Sequence, residues 1–357
     1  MNQPAESLPG DARAQAQQEA LWARYRSNLP RHIMGLSRHG QAELMQALTE
    51  QLGHEQLRLS FEPFISLIGD DGLRLTELAA GLGISKQAAN QTANQIESAG
   101  YIMRTPDPAD GRARILRLTS AGKALIQQGV DFIGSVEQQY VELIGTKRVK
   151  KFSKLLLTLS TGLGLPQARL PRSIVASPVL LGGMLPRISD YMANRLMQLT
   201  IEKGHADLKM SFGQVLTLIG LSGGRIQQMA RIQSVSKQAI SAIATELEQL
   251  GYIQRLPDPA DSRQVLLIFT EQGLQLLTDS VASLDELEQD IVPIMGHEGL
   301  QDLQNIAAEL YASLQLEDEV FTSANVSVEQ NLPELAVKLK KQLGTQGALQ
   351  LAQLLKN

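Results

Sequence analysis

One stretch of this chain is written twice, 151 residues apart. Ser85-Lys86-Gln87-Ala88 returns as Ser236-Lys237-Gln238-Ala239, and Gly100-Tyr101-Ile102 returns as Gly251-Tyr252-Ile253. Pro106-Asp107-Pro108-Ala109-Asp110 returns as Pro257-Asp258-Pro259-Ala260-Asp261, followed by Arg112, Thr119 and Gly122 as Arg263, Thr270 and Gly273. The spacing never slips, so whatever one copy folds into, the other must fold into as well. The same offset pairs Gly53-His54 with Gly204-His205, Ser60-Phe61 with Ser211-Phe212, and Leu67-Ile68-Gly69 with Leu218-Ile219-Gly220.

The periods inside the repeat give its elements. The Ser85 hydroxyl can cap the free amides of a first helical turn, and Gly100 tolerates the left-handed residue that ends a helix. Ile240, Ile243, Leu247 and Leu250 recur at helical spacing, matched by Ala89, Thr92, Ile96 and Ala99, and form the expected buried face. The opposite face of the first copy carries Gln87, Asn90, Gln91 and Asn94, amides that can read the major-groove edge of adenine with two hydrogen bonds. The second copy holds Gln238, Ser241, Ala242 and Thr245 there. After the helix, Tyr101 to Thr105 and Arg112 to Leu118 read as short strands around a Pro-Asp-Pro turn. A helix followed by a basic-tipped hairpin is a winged helix. Thr76–Leu82 and Gln227–Gln233 lead into the two recognition helices. Long helices follow, from Thr119 to about Ile144 and from Thr146 to about Thr161, with equivalents up to Leu316.

The Gly-Tyr-Ile, the Pro-Asp-Pro-Ala-Asp-x-Arg wing and the closing Leu-Thr-x-x-Gly resemble the multiple-antibiotic-resistance regulator (MarR) family, from about Leu36 to Leu316. The resemblance implies a mainly α fold with small β wings: two winged helix-turn-helix domains in a pseudo-two-fold arrangement like a dimer of that family, with the long terminal helices as the interface. It implies binding to double-stranded DNA, the helix in the major groove and the wing arginine in the minor groove. The implied contacts are Ser85, Lys86, Gln87, Asn90, Gln91, Asn94, Arg112 and Arg114 in the first copy, and Ser236, Lys237, Gln238, Ser241, Thr245 and Arg263 in the second, with Asp110 and Asp261 orienting the wings. Where the family often has a basic residue between that Asp and Arg, this chain has Gly111 and Ser262. The family places ligands between the interface helices and the winged helix, a region that includes Met45, Phe61, Phe64, Tyr191, Met192 and Phe212. An aromatic or phenolic effector would lie there, although the same residues also suit a core.

Composition bounds the alternatives. Hydrophobic residues make up 43% and charged residues 20%, ordinary for a globular chain. There is no cysteine, which removes disulfides, thiolate metal sites and thiol redox sensing. No apolar run approaches the ~20 residues of a membrane span, so a cytoplasmic protein is expected. The five histidines, His32, His39, His54, His205 and His297, lack metal-ligand spacing, and there is no phosphate-binding glycine loop or nucleophile elbow, so neither enzyme, metal nor cofactor is expected. The net charge of −4 argues against a general nucleic-acid coat, yet its distribution is uneven. Residues 85–122 hold Lys86, Arg104, Arg112, Arg114 and Arg117 against Glu97, Asp107 and Asp110, a surplus of two positive charges. Residues 236–273 hold Lys237, Arg255 and Arg263 against Glu246, Glu248, Asp258, Asp261 and Glu271, a surplus of two negative ones.

The rest of the chain surrounds the copies. Residues 1–30 are a polar lead and an extra helix, capped by Asp11 and striped with Leu21, Trp22 and Tyr25. Residues 31–160 are the first winged-helix domain, 161–178 a linker with Gly162, Gly164, Pro166, Pro171 and Pro178, and 179–316 the second domain. Residues 317–357 are a helical extension, read as a hairpin over apolar surface or as a docking module. Both halves of the interface in one chain imply a monomer acting as a pseudo-dimer. Two functions fit: a DNA-binding transcriptional regulator, as the family implies a ligand-released repressor, or a protein-interaction module that keeps the fold. Val265 and Ile268, standing where the first copy has Arg114 and Arg117, favour the second reading locally.

Overall fold

The computed structural model describes residues 10–166, 169, 181–233, 235–258 and 261–317, without the side chains of 10–14, 182, 214 and 261–263. The lead up to residue 9, most of the linker and the extension beyond residue 317 lie outside the described residues.

The first copy runs α1 (Gly10–Arg26), α2 (Leu29–Gln46), α3 (Glu62–Ile68), β1 (Leu73–Arg74), α4 (Leu75–Leu82), α5 (Lys86–Ser98), β2 (Ile102–Asp107), β3 (Asp110–Leu118), α6 (Ser120–Ile144) and α7 (Thr146–Gly162). The second runs α8 (Leu181–Glu202), α9 (Met210–Ile219), β4 (Gly224–Arg225), α10 (Ile226–Ile232), α11 (Lys237–Gln249), β5 (Ile253–Asp258), β6 (Asp261–Phe269) and α12 (Glu271–Ser313). Helix α1 begins at Gly10, one residue before the expected cap Asp11. Asn28 ends the connection that follows: its Oδ1 accepts from the Arg31 amide at 3.0 Å and starts α2, with Pro30 in the first turn. Gly145 (φ 84°) separates α6 from α7, and Gly296 (φ 74°) breaks α12 at the equivalent place, a left-handed backbone that glycine adopts without strain.

The chain packs as two compact units, one made of the residues up to Met210 with Glu271–Leu316, the other of Ser211–Thr270. In the first, α2, α6 and α7 meet α8 and α12, so elements from both copies share one core. Ile33, Leu36, Tyr140, Phe152, Leu156, Ile188, Met192, Leu287, Ile291, Leu303 and Leu310 are buried there. Ion pairs Arg148–Glu309 and Lys151–Asp302 link α7 to α12 at its margin. Helix α1 lies on the same body: Trp22 and Tyr25 stack at 5.5 Å, and Arg24 pairs with Asp285 and Glu288 of α12.

Each winged helix has its own core. In the first, Phe61, Phe64, Ile68, Leu78, Ala89, Ala93, Ile96, Tyr101, Ile102 and Leu116 are buried together. The buried stripe of α5 is Ala89, Ala93 and Ile96, and that of α11 is Ile240, Ala244 and Leu247. The expected Thr92 and Ile243 are only half-buried, because the small alanine one position on sits closest to the core. The wing strands are longer than expected: Pro106 pairs with Arg114 and Asp107 with Asp110, leaving a turn of Pro108-Ala109. A third strand, β1, pairs along the other edge of β3, giving the order β1-β3-β2, and β4-β6-β5 repeats it. A two-residue strand is too short to show a period in sequence.

The Gly-Tyr-Ile and Leu-Thr-x-x-Gly segments meet at one joint. Thr119 Oγ1 donates to the Gly100 carbonyl at 2.6 Å and accepts from the Gly122 amide at 3.0 Å. A Cβ on Gly122 would stand 2.1 Å from the Tyr101 carbonyl, so only glycine lets α6 start this close to the wing. In the second unit Thr270 Oγ1 donates to the Gly251 carbonyl in the same way.

His32 gives this architecture a pH dependence. Its ring is 7% exposed, lies 4.9 Å from the Tyr311 ring, has Nε2 3.3 Å from Ser27 Oγ and leaves Nδ1 unpartnered. Burial first, and then Arg31, lower its pKa to about 4. A histidine held neutral in the fold costs stability only once the unfolded chain takes up its proton, so the loss begins below about 6.5 and grows until about 4. By that difference, thermal unfolding should show roughly 3 kcal/mol of acid destabilisation over this window that His32→Leu removes.

Candidate nucleic-acid interface

Helix α5 presents one exposed face. Ser85 Oγ accepts from the Ala88 amide at 3.1 Å and sets the first turn, after which Lys86, Gln87, Asn90, Gln91 and Asn94 are all exposed. Ser236 caps α11 identically at 3.1 Å, with Lys237, Gln238 and Thr245 exposed and Ser241 half-buried.

This face is braced by a residue the sequence did not single out. From β2, Arg104 Nη2 donates to Asn94 Oδ1 at 2.7 Å and to Asn90 Oδ1 at 3.2 Å, while Nη1 pairs with Glu97. The other Glu97 oxygen accepts from the Arg104 amide at 3.0 Å. The second copy repeats the brace: Arg255 pairs with Glu248 and donates to Thr245 Oγ1 at 3.0 Å. The signal in the sequence was the return of Glu97 and Arg104 as Glu248 and Arg255 at the common offset.

The wing is anchored by a second pair that sequence reasoning missed. Arg74, the residue before α4, pairs with Asp107, whose other oxygen accepts from the Ala109 amide at 2.8 Å. That amide, joined by the Arg74 guanidinium, holds the Asp107 carboxyl below the usual carboxylate range. Arg225 and Asp258 form the same pair in the second copy. Asp110, expected to orient the wing, accepts from the Arg112 amide at 3.1 Å and so shapes the strand start, leaving the Arg112 side chain exposed. Asp261 and Arg263 fall at the start of β6, with side chains outside the described ones.

The basic residues of the first copy therefore divide. Arg74 and Arg104 are committed to carboxylates, and Arg117 donates to the Asp70 carbonyl at 3.3 Å. Among the described residues Lys86, Arg112 and Arg114 have no such partner, and all three are exposed on the recognition helix and the wing. In the second wing Leu256 and Val265 are each 41% exposed, where the first has Thr105 and Arg114.

The residues expected around a ligand are divided between cores. Phe61 and Phe64 are buried in the first winged-helix core, Met192 in the helical core with Tyr191 packed against it, and Phe212 is buried at 1% exposure. Met45 is half-buried. An open cavity of about 300 Å³ lies between α2, the π-helical turn Ala47–Gln51 that follows it and α6, lined by Glu43, Gln46, Gln51, Phe132, Ser135 and Gln139. His54 is structural: its ring nitrogens lie 2.9 Å from Tyr101 Oη and 2.6 Å from Gln128 Oε1. His205 Nε2 lies 3.0 Å from Asp279. No cluster of three or more metal-ligating side chains occurs among the described residues, and no described helix is long and apolar enough to cross a membrane.

Comparison with known proteins gives the following. The profile of the MarR family matches residues 64–113 and 206–264, the heart of each copy. The chain is 30% identical over 84 residues to the HTH-type transcriptional regulator FarR of Neisseria gonorrhoeae, covering 24% of this chain and 58% of that protein, so the match spans little more than half of this relative. Among solved structures, a transcriptional regulator of Thermotoga maritima is similar at 20% identity and a TM-score of 0.31, covering 37% of this chain and 91% of its own. Wild-type MarR of E. coli, in its apo form, is similar at 21% identity and a TM-score of 0.29, covering 34% and 92%.

The Arg74–Asp107 anchor predicts a local phenotype. Asp107→Ala should raise hydrogen exchange through β2 and β3 more than Asp107→Asn, which keeps an acceptor for the Ala109 amide. Because the Asp107 pKa is lowered in the fold, the advantage of the native residue over Asn should be full at neutral pH and vanish as pH falls through that lowered value.

Proposed function

We propose that the chain is a tandem member of the MarR family, whose profile matches a stretch of each repeat, and that it is a sequence-specific, DNA-binding transcriptional regulator, a repressor released by a small aromatic or phenolic ligand. The observation that carries the DNA reading is the division of basic side chains in the first copy. Those inside the domain are paired, while Lys86, Arg112 and Arg114 stay exposed beside the amides of α5. Phosphate attraction supplies most of the affinity of such proteins, and amides facing base edges supply discrimination. The roles assigned from sequence fit this reading: α5 in the major groove, Arg112 in the minor groove, and α11 with Arg263 as the weaker second half.

The halves should not contribute equally. The first helix offers four amides, whereas the second offers Gln238, Ser241 and Thr245 beside an acidic surplus. At ~1 to 3 kcal/mol per good bidentate pair, the first half dominates discrimination. Arg112→Ala should weaken operator binding more than Arg263→Ala. Selection of bound sequences from a random pool should return one defined half-site beside a degenerate one. A symmetric inverted repeat with equal information in both arms would refute the asymmetry.

A second reading concerns the second copy alone, whose exposed Leu256 and Val265 suit a protein partner better than a phosphate backbone. If only one half-site is protected in footprints, that copy serves such a partner.

The protein should act as a single chain, since the helices that would form a dimer interface are paired within it. Light scattering should return the chain mass of 38.9 kDa. Twice that mass, independent of concentration, would contradict this.

A further inference from the structure

We propose that Asn90 and Asn94 read guanine rather than adenine, because Arg104 holds both amide oxygens against its own guanidinium and leaves the NH₂ groups to face a base. This deepens the DNA-binding reading and rests on it.

A guanidinium has five N–H donors and no acceptor. An amide beside it can present only its oxygen, so the orientation of both side chains follows from chemistry and not from the choice of a flip. Arg104 Nη2 carries two hydrogens, and both are used, one on Asn94 Oδ1 at 2.7 Å and one on Asn90 Oδ1 at 3.2 Å. The guanidinium is itself held from behind by Glu97, which takes Nη1 with one oxygen and the Arg104 amide with the other. Both asparagines are exposed, and the groups left for a ligand are their two NH₂ groups.

Two donors select a particular base. Guanine presents two acceptors in the major groove, N7 and O6, which one NH₂ group can bridge. Adenine presents N7 beside its own N6 donor, and its bidentate pair with asparagine needs the amide oxygen and nitrogen aimed together at the base edge, whereas Arg104 holds both oxygens towards β2. Cytosine offers a donor, and thymine one acceptor beside a methyl. Gln87 and Gln91 carry no such tie and remain free to take adenine. The second copy cannot repeat the selection. Arg255 donates to the Thr245 hydroxyl at 3.0 Å, and the single hydrogen of that hydroxyl is used on the Ser241 carbonyl at 2.9 Å. Arg104 is thus a positioning residue for specificity in the first half alone.

The test is selection of bound sequences from a random pool with the full chain and its variants. The native protein should enrich guanine at two positions of the defined half-site, one losing its preference in Asn90→Ala and the other in Asn94→Ala. Arg104→Lys, still a donor without an acceptor, should retain guanine. Arg104→Met should free the amides to turn, and the preference for guanine over adenine should fall from roughly tenfold towards parity. Melting curves establish that each variant is folded, and a base preference does not move with stability. Adenine at the two positions in the native protein, or an unchanged preference in folded Arg104→Met, would overturn this inference and leave DNA binding standing. No enriched sequence at all would overturn both.

Discussion

The apolar seam where α2 and α7 meet α8 and α12 is the contact on which the rest of this molecule depends. In a folded protein most of the stability of a helix comes from packing an apolar stripe against its neighbours. Ile33, Phe152 and Leu156 from one copy and Ile188, Leu303 and Leu310 from the other do this together, at roughly 1.5 to 3 kcal/mol for each fully buried side chain. Neither copy has a complete core for its long helices alone. Joining both in one chain removes the concentration dependence of pairing, and it also frees the two winged helices to diverge.

That freedom is visible at matching positions. The skeleton of each wing is kept: Arg74–Asp107 and Arg225–Asp258 anchor the hairpins, and Glu97–Arg104 and Glu248–Arg255 tie each wing to its helix. The outward residues are not kept. Asn90 and Asn94 become Ser241 and Thr245, and Arg114 becomes Val265. Internal ion pairs of this kind fix geometry and orientation, and charges already committed to them are lost to a polyanion. For this reason a count of basic residues overstates what the first copy can offer an anion, and among the described residues Lys86, Arg112 and Arg114 are exposed without such a pair.

Much of this was legible in the sequence. The constant offset required two like domains, the serine caps and Gly100 bounded the recognition helices, and the amide row on α5 followed from helical spacing. The repeat also held the signal for the braces, since Arg74, Glu97 and Arg104 all return 151 residues later, but a lone charged residue gives no sign of which carboxylate it will face. The residues that the family resemblance assigned to a ligand region lie far apart in the sequence, and Phe61 and Phe64 went to one core and Met192 to another.

The division has a physical basis. Local signals, namely caps, turns and the periods of apolar residues, act within a few residues of themselves, so the sequence alone determined the elements, their order and their duplication. Which donors meet which acceptors is settled between segments distant along the chain. Only the tertiary structure could bring β2 across α5 and set Arg104 against Asn90 and Asn94. An asparagine amide has a donor and an acceptor and reads either way in isolation. The guanidinium beside it, with no acceptor to offer, decides which of the two is left facing out.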